Sequence, residues 1–250
     1  MRDIDPEGLV KIAERHDSPL FLANGERFVF VKAPVGARVL YPRQPLPAFE
    51  NLRAEVERAI DHPIGMDPLR AHLKPGMKVT IAFDDISLSL PQQRSPDCRQ
   101  VILEALLERL AAAGVDDVHL VIAVCLHRHM HDWEVKELVG RKIFNAHWRS
   151  RALYNYDAED KDDNVVLGRT DHGEIVEIHK RSATSDLLIY VNLNLIALNG
   201  GHKSVGVGLA TYRSVRSHHN YDHQYNSRSF NDPPRSKMHQ TIERIGRYVK

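Results

Sequence analysis

The chain has 250 residues, enough for one large domain, or a domain with a small appendage, around a substantial core. Apolar residues at 42% and charged residues at 27% are ordinary globular usage, and a formal net charge of +1 creates no field that would gather nucleic acid or anionic membrane. No apolar run approaches the roughly 20 residues of a membrane span. The start, MRDIDPEGLV, carries acids and a proline where a secretory signal needs a basic end and an apolar stretch, and two cysteines, Cys98 and Cys125, do not make a disulfide framework, so the expected location is the cytoplasm.

The first elements are short. Residues 27–33 and 37–41 read as β-strands separated by Pro34 and Gly36, residues 44–47 as a proline-rich turn, and residues 51–60 as a helix ended before Pro63. Residues 1–47 are therefore expected to form a small β-rich extension packed on a main domain of residues 48–250. Within that domain KVTIAF (78–83) is an apolar strand. Residues 98–113 form a helix with Ile102, Leu103, Leu106, Leu107 and Leu110 on one face, and HLVIAV (119–124) is a second strand. Strand, helix and strand in that order predict a parallel crossover and an α/β fold: a Rossmann-like, mostly parallel sheet with flanking helices. A helix over 132–139 is expected to stop at Gly140. Strands over 165–167 and 174–178 flank a turn at 171–173. DLLIYV (186–191) is a third apolar strand leading into a loop at 199–201, and Met238, Ile242, Ile245 and Val249 space a last helix over 237–250.

In such folds ligands gather on the loops after the carboxyl ends of parallel strands. Those loops begin here near Asp84, Cys125 and Asn192, and each opens a polar segment. Phe83-Asp84-Asp85-Ile86-Ser87 places carboxylates that could hold a ribose, a cation or a histidine, or cap the next helix. The second segment draws on an unusual supply of 15 histidines. His127, His129 and His131 alternate beside Arg128, a pattern open to acid–base work, to metal binding or to a purely structural role. Gly200-Gly201-His202-Lys203-Ser204 reads either as a backbone cradle for phosphate with a nucleophilic lysine, or as a tight turn with a solvated lysine. A further pair, His218-His219, is read as a polar helix end or as a source of one ligand, since adjacent side chains diverge.

Read in order, these pieces resemble the lactate racemase family. The family pattern has an Asn-Pro-Ile-Gly-type segment, then Asp-x-Thr-Arg-x-x-Pro, Ala-Thr-Gly-x-His-Arg, Gly-Gly-Arg-Lys and a later Asn-His. This chain has His62-Pro63-Ile64-Gly65 followed by Pro68-Leu69, then Asp85-Ile86-Ser87-Leu88-Ser89-Leu90-Pro91. It continues with Ala123 to Arg128, Gly168-Arg169-Thr170 through Glu174, Gly200 to Lys203, and His218-His219. The resemblance implies a nickel-pincer nucleotide (a pyridinium-3,5-bisthiocarboxylic acid mononucleotide holding nickel) linked covalently to Lys203. It implies His219 as nickel ligand and His127 as the acid–base residue, with Asp85, Ser87, Gly200 and Gly201 helping to hold the cofactor and Arg128 and Asn194 reaching the substrate. The implied activity is racemisation or epimerisation of a 2-hydroxy acid by hydride transfer between its α-carbon and the cofactor. The resemblance also implies a second, C-terminal domain that closes on the substrate; it is expected to be absent from this chain and, if the chain is truncated, to be its partner. A small-molecule substrate is expected, with neither nucleic acid nor membrane as partner, and a homo-oligomer is left open.

The chain departs from the pattern in several places. The family's Thr-Arg is Ser87-Leu88, which leaves Arg94 or Arg128 to bind an anion. The second catalytic histidine falls at Leu193, between Asn192 and Asn194, and an asparagine orients a hydroxyl without taking its proton. The usual glycine two residues before the catalytic histidine is Cys125. The family's Asn-His-Asp is Asn155-Tyr156-Asp157, where Tyr156 offers a weak acid. These changes point from lactate toward a larger or polyhydroxylated 2-hydroxy acid. Two other classes stay in view: a non-catalytic homologue that keeps the cofactor or another ligand, and a zinc hydrolase built on His127, His129 and His131, for which the helical His-Glu-x-x-His pattern is missing.

Overall fold

A computed structural model describes residues 10–24, 27–41, 46–86, 94–194, 200–229 and 232–249. The chain divides into two compact units, Met1–Glu50 and Asn51–Lys250. The first holds β1 (Val10–Ile12), β2 (Leu20–Asn24), β3 (Arg27–Val31) and β4 (Arg38–Leu40). β1 pairs with β4 and β2 with β3, both antiparallel. The two anticipated strands are β3 and β4, while β1 and β2 were too short and mixed in pattern to be read. Of the proline-rich turn, Gln44 and Pro45 lie outside the described residues.

The second unit runs through α1 (Leu52–Asp61), β5 (Lys78–Phe83), α2 (Cys98–Ala112), β6 (Asp117–Ile122), α3 (Asp132–His147) and β7 (Leu153–Asn155). Then come β8 (Asn164–Arg169), β9 (Ile175–His179), α4 (Lys180–Ala183) and β10 (Leu187–Val191). The chain ends with α5 (His202–Gly208), α6 (Tyr212–Val215), α7 (Tyr221–Tyr225) and α8 (Lys237–Gly246). The side chain of Asn51 caps α1 by accepting from the Ala54 amide at 3.0 Å, and Asp97 caps α2 through the Arg99 amide at 2.8 Å.

β10, β5, β6 and β7 form a four-stranded parallel sheet in that order. The central strand β5 is buried from Val79 to Phe83, as a strand covered on both faces must be. Alternation along the strands divides the core into two. Val79, Ile81 and Phe83, with Leu120 and Ile122, face Leu103, Leu106 and Leu110 of α2 and Val135, Leu138 and Ile143 of α3. On the other side Ala82 and Val121 face Val205, Leu209 and Tyr156. The α/β expectation holds: the sheet is parallel, with helices on both faces and short antiparallel pairs outside it.

The helix over 132–139 stops at Gly140 as expected, because φ 78° and ψ 159° there are not helical. A second helical stretch, not anticipated from the sequence, carries α3 on to His147, with Ile143 continuing the buried stripe. The anticipated hairpin is β8–β9, with its register shifted between Val166 and Gly168. α8 buries Met238, Ile242 and Ile245, the spacing read from the sequence.

The sheet order positions the site. The chain steps from β5 to β6 to β7 in one direction and then returns on the other side of β5 as β10. The carboxyl ends of β5 and β10 therefore flank a switch in strand order, where open α/β sheets bind their ligands.

Candidate active site at the strand ends

Asp84 and Asp85 follow β5. Asp84 accepts from the Leu193 amide at 2.7 Å and the Asn192 side chain at 2.8 Å, joining the ends of β5 and β10. Burial pushes its carboxyl above the usual range despite these bonds. Asp85 is buried, and its Oδ2 lies 3.0 Å from His127 Nδ1. Of the roles open to these carboxylates, Asp85 thus holds a histidine; Asp97 caps the next helix. Both backbone carbonyls, of Asp84 and Asp85, accept from the Arg99 guanidinium at 2.9 and 3.0 Å. Arg99 is itself buried and held by Asp97 through two contacts, at 2.9 and 2.8 Å.

His127 follows β6 in a tight turn, its amide donating to the Val124 carbonyl at 2.7 Å. The hydrogen bond to Asp85 raises the His127 pKa, with partial burial opposing it. The bond directs the Nδ1 proton to the carboxylate and leaves Nε2 as the basic nitrogen. Cys125, within the turn, has φ 49°, a left-handed value that favours glycine. Its thiol donates to the Ala210 carbonyl at 3.2 Å, and burial raises its pKa to about 12, so it is a packed thiol and not a nucleophile. Because a β-branched side chain fits this backbone poorly, Cys125→Val is expected to cost about 1–2 kcal/mol more than Cys125→Gly, read as the difference in urea midpoints.

The rest of the histidine run is anchored. Asn155 grips the Met130 backbone, accepting from its amide at 2.9 Å and donating to its carbonyl at 3.0 Å. Arg128 forks onto Glu134 at 2.6 and 2.7 Å and holds that carboxyl down to about 2. His131 caps α3. Among the described residues, no three His, Cys, Asp or Glu side chains gather as a metal site, so the zinc reading of His127, His129 and His131 finds no cluster. Tyr156 is fully buried and donates to Asn164 at 2.6 Å; its pKa is raised by burial, so it is a core residue and not the weak acid the sequence allowed.

Gly200 (φ 113°) and Gly201 (φ 58°) are both left-handed, and nothing stands within 4 Å of a Cβ built on Gly201. The Gly200 amide donates to Ser204 Oγ at 2.9 Å, and Asn194 lies against Gly200, its Oδ1 3.1 Å from where a Cβ would stand. Lys203, half-buried on the first turn of α5, is one of the cations that lower the Glu243 pKa, after the His202 hydrogen bond. Ser87 and Asn199 lie outside the described residues.

His218 and His219 follow α6. His218 is fully buried, while His219 is exposed. Their Nδ1 atoms are 2.6 Å apart. Although His219 keeps solvent contact, desolvation by the surrounding protein lowers its pKa, and the charge of His127 lowers it further. Both effects favour the neutral His219 ring, and the second places it within electrostatic reach of His127. Burial takes His218 down to about 3. The structure thus joins Asp85 to His127, sets His219 in the same field and lays Asn194 on Gly200, while Arg128 turns to Glu134.

Residues 26–230 match the family model described as the lactate racemase N-terminal domain. The chain belongs to this family. It is 27% identical over 169 residues to the lactate racemase of Lactiplantibacillus plantarum, an alignment covering 66% of this chain and 37% of that protein. The lactate racemase apoprotein of Thermoanaerobacterium thermosaccharolyticum shares the fold, with a TM-score of 0.63 at 18% identity over 85% of this chain and 51% of the other. A Thermotoga maritima protein shares it at a TM-score of 0.50 and 13% identity, over 79% and 47%. The chain thus spans about a third to a half of the relatives it matches.

Sequence reasoning found the members of this site one at a time and missed Arg99. Its only signal was an Asp-x-Arg at a helix start, which reads equally well as a solvated cap.

Proposed function

We propose that this chain is the cofactor-carrying part of a racemase or epimerase of a 2-hydroxy acid, working with a nickel-pincer nucleotide. The observation that carries the reading is the Asp85–His127 dyad at the strand-order switch, with the imidazole of His219 in the same field. A proton acceptor and a metal-ligating nitrogen belong side by side in a site that removes a hydroxyl proton next to a bound metal.

The residues fit the group. A histidine must be neutral to ligate a metal, and burial favours the neutral form of His219; its Nδ1 meets His218, which leaves Nε2 for a ligand. The open space above Gly201 suits an approaching phosphate, and Lys203 begins the next turn. Lys203 would hold the nucleotide covalently, His219 would ligate its nickel, and the Gly200–Gly201 backbone, with Ser87, would take its phosphate. When bound, the group supplies the acceptor and donor for the hydride of the substrate's α-carbon. His127 Nε2 takes the proton from the substrate hydroxyl oxygen, and Asp85 stabilises the imidazolium that forms. Return of the proton to either enantiomer's hydroxyl regenerates the base. Asn194 orients the substrate.

A second reading, a homologue that holds the cofactor without turnover, is favoured by one feature. Leu193 stands where the family has a second base, and its amide is spent on Asp84. Exchange of the α-hydrogen across a panel of 2-hydroxy acids separates the two readings.

Protein made in a host able to synthesise the cofactor should carry stoichiometric nickel and a mass adduct on the peptide containing Lys203. A nickel-free protein with an unmodified Lys203 would sink both readings.

A further inference from the structure

His218 is fully buried beside the proposed metal ligand. The two rings meet at an interplanar angle of 66° with centroids 4.7 Å apart, and the Nδ1 atoms are 2.6 Å apart. A contact that short between two neutral imidazoles is a hydrogen bond, with one Nδ1 carrying the proton and the other a lone pair. The tautomers of the two rings are therefore locked together. The backbone directs the pair: the amides of His218 and His219 both donate to the Val215 carbonyl, at 3.0 and 2.8 Å, pinning both residues at the end of α6.

Two arrangements exist. If His218 donates, His219 carries its proton on Nε2 and presents an N–H outward, which cannot ligate. If His219 donates, its Nε2 is a bare lone pair facing out, and His218 carries its proton on Nε2. In that arrangement the ring N–H of His218 that His219 does not engage is available to the Gly206 backbone, which hydrogen-bonds this buried ring and so favours the second arrangement.

We propose that His218 is a positioning residue: its Nδ1 accepts the His219 Nδ1 proton and so holds His219 with a bare, outward Nε2. This rests on the proposed role of His219 as the nickel ligand. Residues that accept from the second nitrogen of a ligating histidine fix its tautomer and orientation in just this way. The role needs only an acceptor at the His218 Nδ1 position, which an asparagine side-chain oxygen also supplies.

The test is nitrogen-15 NMR of ring nitrogens in the full, metal-free chain, with His219 assigned by its loss in His219→Gln. The expected wild-type result is a protonated Nδ1 and an unprotonated Nε2 on His219. His218→Asn should keep that pattern, and His218→Leu should abolish it in favour of the Nε2-protonated or averaged ring. In cofactor-loaded protein, His218→Leu should weaken nickel retention about 10–100-fold and His218→Asn should restore it. A wild-type His219 protonated on Nε2, or a His218→Asn spectrum with the tautomer reversed, would overturn the proposal, and both measurements stand even where His218→Leu does not fold. Because the spectra are recorded without metal, a protein that never binds nickel would defeat the functional reading while leaving the tautomer result intact.

Discussion

Asp85→Asn is expected to lower α-hydrogen exchange about 10²–10⁴-fold while the protein stays folded. The loss follows from the tautomer. The Asp85 carboxylate, 3.0 Å from His127 Nδ1, accepts only, so it keeps the proton on Nδ1 and the lone pair on Nε2. An asparagine can turn its amide N–H to the ring, and the proton then moves to Nε2, where it blocks the base. The variant should also shift the pH profile. Asp85 raises the His127 pKa, and exchange requires the unprotonated ring, so the wild-type rate climbs as pH passes through a raised value. In Asp85→Asn that ascending limb moves to lower pH, while its plateau falls. Stability carries the matching sign. A folded pKa above the unfolded one contributes stability that is fully present below the unfolded pKa, about 6.5, and is lost as pH rises through the folded value. Because the His127 side chain is 41% exposed, the stability effect is expected to be small beside the kinetic one. An unchanged exchange rate together with an unmoved limb would eliminate the dyad as the proton acceptor.

How far the sequence disclosed this site depends on distance along the chain. β5 and α2 were legible because a run of buried residues and a 3.6-residue stripe are local patterns. β7, with three residues, and α6, with four, are too short to show a period. Gly140 was legible as a helix stop, but the second helical stretch beyond it was not, because only packing shows that Ile143 carries the buried stripe onward. His127 and Asp85 were each visible as polar residues after an apolar strand, but their bond spans 42 positions and exists because β5 and β6 pair in register, Phe83 opposite Ile122. The two adjacent histidines were expected to diverge, and they do: one is buried and the other exposed. That the buried one touches the other's ring nitrogen was not readable, because alternation rules give faces and not contacts.

Arg99 is the largest omission, and it yields the second strong expectation: Arg99→Met should cost about 3–5 kcal/mol, read as a lowered urea midpoint at unchanged slope. Methionine fills much of the same volume, so the cost is electrostatic. The guanidinium is 3% exposed and its partner Asp97 12%, and removing one partner leaves the other charge buried and unpaired. The Asp84 and Asp85 carbonyls lose their shared donor at the same time. Lysine is a poor replacement: one ammonium cannot reproduce a planar fork that grips a carboxylate on one side and two carbonyls on the other. Arg99→Lys should therefore recover only part of the loss. Introducing Asp97→Asn beside Arg99→Met should recover more than additivity predicts, since the stranded charge is gone. The two carbonyls belong to the segment that aims the Asp85 carboxylate at His127. Even the folded fraction of Arg99→Met should then show the His127 pKa relaxing toward that of an ordinary histidine in an NMR titration. A variant that loses less than about 1 kcal/mol and keeps the raised His127 pKa would mean that the strand end holds its shape unaided, and that Arg99 is an ordinary helix-start ion pair.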